Sequence, residues 1–125
     1  SPAFYNDLIN KVQKALGTEG PTFLNVISPC PRGWRAETNE SLELAQEAVT
    51  CCFWPLYEVD DGEWRLTAYS KQIAEDKKEK TSVIDWMRKQ GRFRHLFVED
   101  RKSILEAIEK QVDKEWEILK KKCGY

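Results

Sequence analysis

Residues 20–34, GPTFLNVISPCPRGW, carry the strongest structural signal in the chain. The apolar run Phe23–Ile27 contains no charge, so it predicts a short buried strand of the kind found in parallel sheets. Because proline fixes φ and has no N–H to donate, Pro29 and Pro31 end this strand and stiffen the chain between them. We therefore expect the Cys30 thiol to point in a fixed direction, which suits a ligand or a nucleophile.

Composition indicates about one globular domain. The chain has 125 residues, is 41% hydrophobic and includes five tryptophans and five phenylalanines, which can fill a sizeable core. Its 20 basic and 21 acidic residues leave a net charge of -1, so no overall field favours nucleic acid or an anionic membrane. No apolar stretch approaches the roughly 20 residues of a membrane helix. The start at Ser1-Pro2, without methionine or an apolar signal core, indicates an internal cut or a processed end.

The cysteines form no recognisable zinc or disulfide pattern. There is no C-x-x-C pair and His95 is the only histidine, so a zinc finger is not expected. Adjacent Cys51 and Cys52 could pair only with strain, and reduced thiols in a cytoplasmic protein are the simpler interpretation. Cys52 falls on an apolar helical stripe and is predicted to lie in the core. Cys123 follows three lysines and is predicted to face solvent.

Helical periodicity predicts three longer helices. The apolar face of the first is expected to comprise Phe4, Leu8, Val12, Ala15 and Leu16. A second helix begins near Thr38 or Asn39, and its inner stripe is expected to comprise Leu42, Ala45, Val49 and Cys52. The last helix runs from about residue 100 to residue 122, and its stripe is expected to comprise Leu105, Ile108, Val112, Trp116 and Leu119.

Between the second and last helices, turn signals predict a hairpin and several short segments. A strand at residues 53–59, the turn Asp61-Gly62 and a return strand at 64–67 form the hairpin. Residues 72–80 are dominated by charge and predict a solvated loop or a short frayed helix. Ser82 with Asp85 resembles a capping box that opens a short helix. Residues 92–97 predict an extended connector with its aromatic side chains inward and its charges outward.

Cys30 is the sharpest candidate for chemistry. As a metal or iron–sulfur ligand it needs a thiolate with a fixed Cβ direction, and a cysteine followed by proline also ends a known ferredoxin ligand run. The alternative is a buried apolar thiol, which is common for free cysteine. A catalytic thiol is less favoured, because His95 is the only histidine available to partner it. We assign no catalytic residue.

The alternation of basic and aromatic residues at 92–97 leaves other possibilities open. Such a pattern can bind single-stranded nucleic acid, or it can form a subunit contact. The near-zero net charge favours an ordinary solvated edge over nucleic acid.

Four blocks of sequence resemble the C-terminal part of the β subunit of 2-oxoacid:ferredoxin oxidoreductases. In this family the pyruvate enzymes are the best known, and the oxalate enzyme is a relative. The blocks follow one another in the expected order. They are SPAF at 1–4 together with the helix that contains or follows it, residues 20–34, FWPLYEV at 53–59 and GRFRHLF at 91–97. The resemblance spans nearly the whole chain.

The resemblance implies an α/β fold, the C-terminal portion of a thiamine-diphosphate-binding fold. It would consist of a helix and a buried strand followed by a helix, a β-hairpin and C-terminal helices. Residues 1–36 would be the last helix–strand unit of the thiamine-binding core together with the cluster-ligand loop. Residues 37–125 would be the C-terminal region of the β subunit.

The resemblance also implies an activity. These enzymes oxidatively decarboxylate a 2-oxoacid, here expected to be pyruvate, with thiamine diphosphate and usually with coenzyme A as the acyl acceptor. Electrons pass through 4Fe–4S clusters to ferredoxin. Cys30 matches the sequence-distant fourth ligand of the cluster nearest the thiamine. With Pro29 and Pro31 beside it, few backbone donors are expected near the sulfur, which fits a low potential.

The same resemblance implies which parts and partners lie elsewhere. The chain has no C-x-x-C pair and no Gly-Asp-Gly, so thiamine diphosphate, Mg and the other three cluster ligands are expected in the N-terminal part of the same subunit. The implied partners are that part, the other subunits, ferredoxin, coenzyme A and the 2-oxoacid, with no nucleic acid and no membrane. The alternative is a stand-alone interaction module without a redox role, which would use the hairpin and residues 92–97 as its contact surface.

Overall fold

The computed structural model describes residues 1–125 and is mostly helical, with one small sheet. Short 3-10 turns precede or join several helices, at Pro2–Phe4, Thr38–Glu40, Gly91–Leu96 and Glu99–Arg101. The helices are α1 (Tyr5–Gly17), α2 (Pro31–Trp34), α3 (Ser41–Thr50), α4 (Ala68–Ala74), α5 (Val83–Arg88) and α6 (Lys102–Lys122), and the strands are β1 (Tyr57–Asp60) and β2 (Glu63–Leu66). None of these helices combines the length and the apolar character that crossing a membrane requires.

The hairpin forms where the turn signal places it. β1 and β2 pair antiparallel, with Tyr57 opposite Leu66 and Asp60 opposite Glu63. The two residues between them, Asp61 and Gly62, both have positive φ, of 48° and 81°. Two positive φ angles define the type I′ turn, whose twist matches that of the strands it joins. The turn prediction is therefore confirmed, while the first strand begins later than expected, at Tyr57.

The buried strand predicted at Phe23–Ile27 is not formed. Residues 21–30 adopt no helix or strand, and the Phe23 side chain is 88% exposed. Ile27 is the only residue of this run that is buried. A strand is stabilised by its neighbours in a sheet, and the only two strands of this chain pair with each other. The mixed helix and sheet content agrees with the expected fold class, but the helix–strand unit expected within residues 1–36 supplies only its helix.

The larger core cluster lies between α3, α5 and α6. Trp86 fills its centre and donates a hydrogen bond of 2.9 Å from Nε1 to the carbonyl oxygen of Leu44. The short helix that carries Trp86 begins as predicted, because the Ser82 hydroxyl oxygen accepts a hydrogen bond from the Asp85 N–H. The buried members of this cluster are Ile27, Leu44, Ala48, Cys51, Val83, Trp86, Met87, Leu96 and Val112.

A second, smaller cluster joins the hairpin to α4 and α6. Its buried members are Cys52, Leu66, Ile73, Trp116 and Leu119. Adjacent Cys51 and Cys52 thus contribute to different clusters, and Cys52 has the unusual φ of 60° that turns the chain between them. The prediction that Cys52 lies in the core is confirmed. Cys123 is half-buried against this second cluster rather than solvent-facing, because the C-terminal residues fold back onto α6.

The sequence patterns miss the start of helix α4 and assign the wrong structure to residues 92–97. The charged stretch predicted at 72–80 begins inside α4, whose inner side buries Ser70 and Ile73, and only residues beyond Ala74 are non-helical. Residues 91–96 form a 3-10 helix and not an extended connector. The interior contacts of this segment bend the chain into a compact turn, and periodicity alone does not reveal them. The last helix, by contrast, is close to the expected range.

Helix α1 buries a polar ion pair and leaves part of its apolar surface exposed. Its only fully buried residue is Asp7, whose carboxylate accepts a hydrogen bond of 2.6 Å from Lys11 Nζ. Lys11 Nζ also donates to Thr67 Oγ1 at 2.8 Å. Leu16, on the predicted apolar face, is 82% exposed. The predicted amphipathic helix is present, but its predicted apolar face is covered only in part: Phe4 contacts Tyr69, with ring centroids 6.0 Å apart, while Val12 and Leu16 stay exposed.

Candidate functional site

Cys30 occupies a defined position at the start of α2. It is the N-cap residue of this helix, and Pro31 takes the first helical position, where its missing N–H has no intrahelical partner to lose. The N–H of Gly33 donates a hydrogen bond of 3.4 Å to Cys30 Sγ. The N–H of Trp34 donates a hydrogen bond of 2.8 Å to the Cys30 carbonyl oxygen. The sulfur and the carbonyl oxygen of Cys30 are therefore both hydrogen-bonded to amides of the same turn. The residue as a whole is exposed.

The expectation that few backbone donors lie near this sulfur is wrong, because one amide does reach it. The two prolines donate nothing, but the turn they enforce brings the Gly33 N–H onto Sγ. This is how a side chain at an N-cap satisfies the third amide of a helix. A Cβ on Gly33 would lie 3.6 Å from the sulfur, which is ordinary van der Waals contact. The exposure also argues against the alternative of a thiol buried among hydrocarbon side chains.

The Cys30 turn is fastened to the larger core cluster by aromatic contacts. The indoles of Trp34 and Trp86 meet edge to face, with ring centroids 5.9 Å apart. The Arg92 guanidinium lies over the Trp34 ring, 4.4 Å from its centroid. The Gly91 N–H donates a hydrogen bond of 3.0 Å to the carbonyl oxygen of Arg35, which follows α2 in a left-handed conformation. The segment after α5 therefore supports the Cys30 turn.

Arg92 corrects the expectation that the charges of residues 92–97 point outward. Its guanidinium lies against three aromatic rings, and partial burial lowers its pKa from the ordinary value. Arg94 and His95 are exposed as expected, and Leu96 is buried. Because the half-buried Arg92 stacks on aromatic rings of its own chain, the regular basic and aromatic alternation of a nucleic-acid surface is not present here. The sequence offered only a weak indication that Arg92 stacks on aromatic rings, namely an arginine beside an aromatic residue.

The other three thiols are far less available. Burial raises the pKa of the Cys51 thiol to about 11 and that of the Cys52 thiol to about 12. Burial also raises the pKa of Cys123. All four cysteines are free, and the chain brings no three His, Cys, Asp or Glu side chains together as a possible metal site. Cys30 is therefore the one exposed thiol, and any metal centre that includes it needs ligands from other polypeptide.

Exposed apolar side chains are concentrated in the first 26 residues. We call them the exposed apolar set, and they are Tyr5, Ile9, Val12, Leu16, Phe23, Leu24 and Val26. Helix α1, which carries the first members of this set, is held to the rest of the chain by polar contacts. Lys11 contacts Thr67, and Lys14 pairs with Glu58. Apolar side chains exposed in such number are typical of a surface that another polypeptide covers.

No family model matches the chain. Individual relatives do match it along most of its length. The ketoisovalerate oxidoreductase subunit VorB of Pyrococcus horikoshii is 38% identical over 121 residues, which is 97% of this chain and 36% of that subunit. The pyruvate synthase subunit PorB of Thermotoga maritima is 40% identical over 114 residues, covering 90% of this chain and 33% of that subunit.

A third relative extends the similarity to another organism. The pyruvate synthase subunit PorB of Methanosarcina barkeri is 41% identical over 97 residues, or 78% of this chain and 30% of that subunit. All three relatives are subunits of oxidoreductases that act on 2-oxoacids. The chain is homologous to part of these subunits, and its resemblance to the β subunits of 2-oxoacid:ferredoxin oxidoreductases is confirmed. It spans about a third of the length of the curated relatives it matches.

Proposed function

We propose that this chain is the C-terminal region of the β subunit of a 2-oxoacid:ferredoxin oxidoreductase, and that Cys30 is one ligand of its 4Fe–4S cluster. One observation supports this most directly. In a chain homologous to these subunits, the exposed thiol lies at a fixed N-cap position and its sulfur already accepts a backbone hydrogen bond. The other three thiols are buried or half-buried.

The donor set fits a cluster that is completed from outside. A cluster of this kind is held by cysteine thiolates, and it carries single electrons when it is bound. Cys30 supplies one such thiolate, and the other three would come from the N-terminal part of the subunit. The Gly33 N–H would remain on the ligating sulfur, where hydrogen bonds are one of the factors that set the cluster potential. Thiamine diphosphate and Mg would also bind in the N-terminal part, within a thiamine-binding fold that residues 1–36 would complete.

The substrate class follows from the relatives. Their names give ketoisovalerate and pyruvate, which are both 2-oxoacids, and pyruvate is our expectation for this enzyme. The subunit would bind the 2-oxoacid and coenzyme A together with its partner subunits, and it would pass electrons to ferredoxin. Four free thiols also favour the reducing cytoplasm as its location.

The exposed apolar set supports the proposal that polypeptide outside this chain covers a large surface of it. The relatives are about three times as long as this chain, so most of the subunit lies outside it. We assign the N-terminal part of the same subunit as the polypeptide that covers α1 and residues 18–30. There the run Phe23–Ile27 would find the neighbouring strands that it lacks here. Residues 37–125 would contact the other subunits.

The test replaces Cys30 in the complete enzyme. Cys30→Ala removes the ligand atom, and Cys30→Ser replaces it with a poorer one. We expect iron content to fall, the electron paramagnetic resonance signal of one cluster to be lost or altered, and ferredoxin reduction to slow. Cys123→Ala is the matched control, because it removes a half-buried thiol and is expected to leave iron content unchanged. Normal cluster signals and activity in Cys30→Ala would refute the assignment of Cys30 as a cluster ligand.

A further inference from the structure

We propose that Arg92 is a positioning residue for the Cys30 sulfur and acts through Trp34. The inference rests on the proposed function, since it assigns a role toward the ligand sulfur. Arg92 does not touch Cys30 through any hydrogen bond of its own. Its influence passes through the ring on which it stacks and through the backbone turn to which that ring belongs.

The guanidinium is held in one place by several independent contacts. Its central carbon lies 4.4 Å from the Trp34 ring centroid, 4.5 Å from that of Phe93 and 5.9 Å from that of Trp86. Arg92 Nε donates a hydrogen bond of 2.9 Å to Gln90 Oε1. A planar guanidinium that stacks on rings and is tied at its Nε has little freedom to move.

The partner of Arg92 is itself fixed. Gln90 is completely buried, and its Nε2 donates a hydrogen bond of 2.9 Å to the carbonyl oxygen of Trp86. The next residue, Gly91, is bound by its N–H to the carbonyl oxygen of Arg35. Arg92 is thus anchored to the central tryptophan of the core on one side, and its backbone is tied to the end of the Cys30 turn on the other.

The path from Arg92 to the sulfur is short. Trp34 lies under the guanidinium, and its N–H donates the 2.8 Å hydrogen bond to the Cys30 carbonyl oxygen. The amide before it, on Gly33, donates to Sγ. The contacts on the Trp34 ring therefore limit movement of the residue whose amide, together with that of Gly33, holds Cys30. No other side chain outside the turn reaches the Trp34 ring with a cation.

The charge of Arg92 distinguishes this contact from ordinary apolar packing. Burial disfavours the charged guanidinium, and no neighbouring carboxylate offsets this effect. An apolar side chain would fill the same space without that cost. Lysine keeps the charge but cannot stack as a plane, so Arg92→Lys separates the effect of stacking from the effect of charge.

The experiment uses the assembled oxidoreductase with a full-length β subunit that carries Arg92→Met or Arg92→Lys. Arg88→Met is the matched control, because Arg88 also stacks on an aromatic ring, Phe97 at 4.5 Å, but outside the Cys30 turn. Two measurements are made, the paramagnetic resonance spectrum of the reduced enzyme and the rate of iron release to a chelator.

We expect Arg92→Met to change the g values of one cluster and to speed iron release several-fold. Arg92→Lys should show the same spectral change, while Arg88→Met should match the wild type. If Arg92→Met does not assemble, Arg92→Lys alone decides the outcome. Wild-type spectra and release rates in the Arg92 variant that assembles would overturn the inference.

Cys30→Ala is measured beside these variants. If its cluster is intact, the proposed function fails, whatever Arg92 does. If Cys30→Ala loses the cluster and the Arg92 variants keep the wild-type spectrum, the positioning role fails alone. A purely structural role for Arg92 would lower the melting temperature and leave the g values unchanged, and that result would also overturn the inference.

Discussion

Gly91 and Arg35 approach so closely that no side chain fits between them. The Gly91 N–H donates a hydrogen bond of 3.0 Å to the Arg35 carbonyl oxygen. A Cβ placed on Gly91 would lie 2.8 Å from Arg35 Cβ and 2.9 Å from that carbonyl oxygen. This backbone contact joins the end of the Cys30 turn to the 3-10 helix that presents Arg92.

Substituting alanine for Gly91 should therefore destabilise the fold. Both atoms that the new methyl group would meet belong to the backbone or to its first side-chain carbon, so neither can rotate away. We expect Gly91→Ala to cost about 1–3 kcal/mol, as overpacking generally does. Urea unfolding of the 125-residue chain measures this cost. Gly17→Ala is the control, since a Cβ there meets nothing within 4 Å, and an equal cost in both variants would contradict the prediction.

The buried ion pair of α1 gives a second prediction. Lys11 is the only cation bonded to the buried Asp7 carboxylate, and their side chains are 14% and 8% exposed. Lys11→Met leaves that carboxylate buried and unpaired, so we expect a loss of about 3–5 kcal/mol in the free energy of unfolding. Replacing Asp7 with asparagine in the same variant should recover part of this loss.

The control for Lys11 is its neighbour on the same helix. Lys14 is mostly exposed and pairs with Glu58. Lys14→Met should cost less than about 1 kcal/mol, the usual range of surface pairs. Equal losses in the two variants would mean that the Asp7 site is solvated.

The buried thiols predict a dependence of stability on alkaline pH. The pKa values of Cys51 and Cys52 rise from the ordinary 9.0 to about 11 and about 12 in the folded chain. Above pH 9 the unfolded chain releases protons that the folded chain retains, so stability is present in full below pH 9 and falls as pH rises toward 11 and 12. At a pH of about 10 we expect the two thiols to cost roughly 2–3 kcal/mol.

Lysine and tyrosine side chains also titrate in this range, so the comparison must isolate the thiols. Urea unfolding under reducing conditions is measured near neutral pH and at a pH of about 10, in the wild type and in the variant with Cys51→Ala and Cys52→Ala. The double variant should lose less stability between the two pH values. Identical losses would show that the two thiols are not buried.

The exposed apolar set predicts opposite outcomes in two contexts. In the 125-residue chain, Phe23→Lys changes a side chain that is already in water, so unfolding should change by less than about 0.5 kcal/mol. In the full-length subunit the same change should destabilise by about 1.5–3 kcal/mol, because the proposed contact with the N-terminal part would bury this aromatic side chain. Gln72→Lys, exposed on α4 and outside the surface assigned to the N-terminal part, should be neutral in both. A neutral Phe23→Lys in the full-length subunit would mean that this residue stays exposed.

Local signals account for what the sequence predicts correctly. The turn at Asp61-Gly62, the cap at Ser82 and the long stripe of α6 depend on residues near in sequence, and all three are present. Phe23–Ile27 fails as a strand because a strand depends on neighbours that local sequence does not supply. The flanking prolines were enough to single out Cys30 in the sequence. The hydrogen bond from the Gly33 N–H could not be predicted, because it depends on the geometry of the turn.

The supports of Cys30 could not be read from sequence. Arg92 resembles any surface arginine until Trp34, 58 positions earlier in the chain, is placed beneath it. Gly91 likewise looks like a helix terminator, and only the approach of Arg35 explains it. Both contacts join distant parts of the chain, which hydrophobic periodicity does not encode.

The two-stranded sheet has a consequence for assembly. Each of its strands has an outer edge that pairs with nothing in this chain, and unpaired edges recruit further strands from other molecules. Here each strand is only four residues long, and charged Glu58, Asp60, Glu63 and Arg65 alternate along the pair. Short, charged edges resist such recruitment. The hairpin is therefore protected against pairing edge to edge with strands of other molecules.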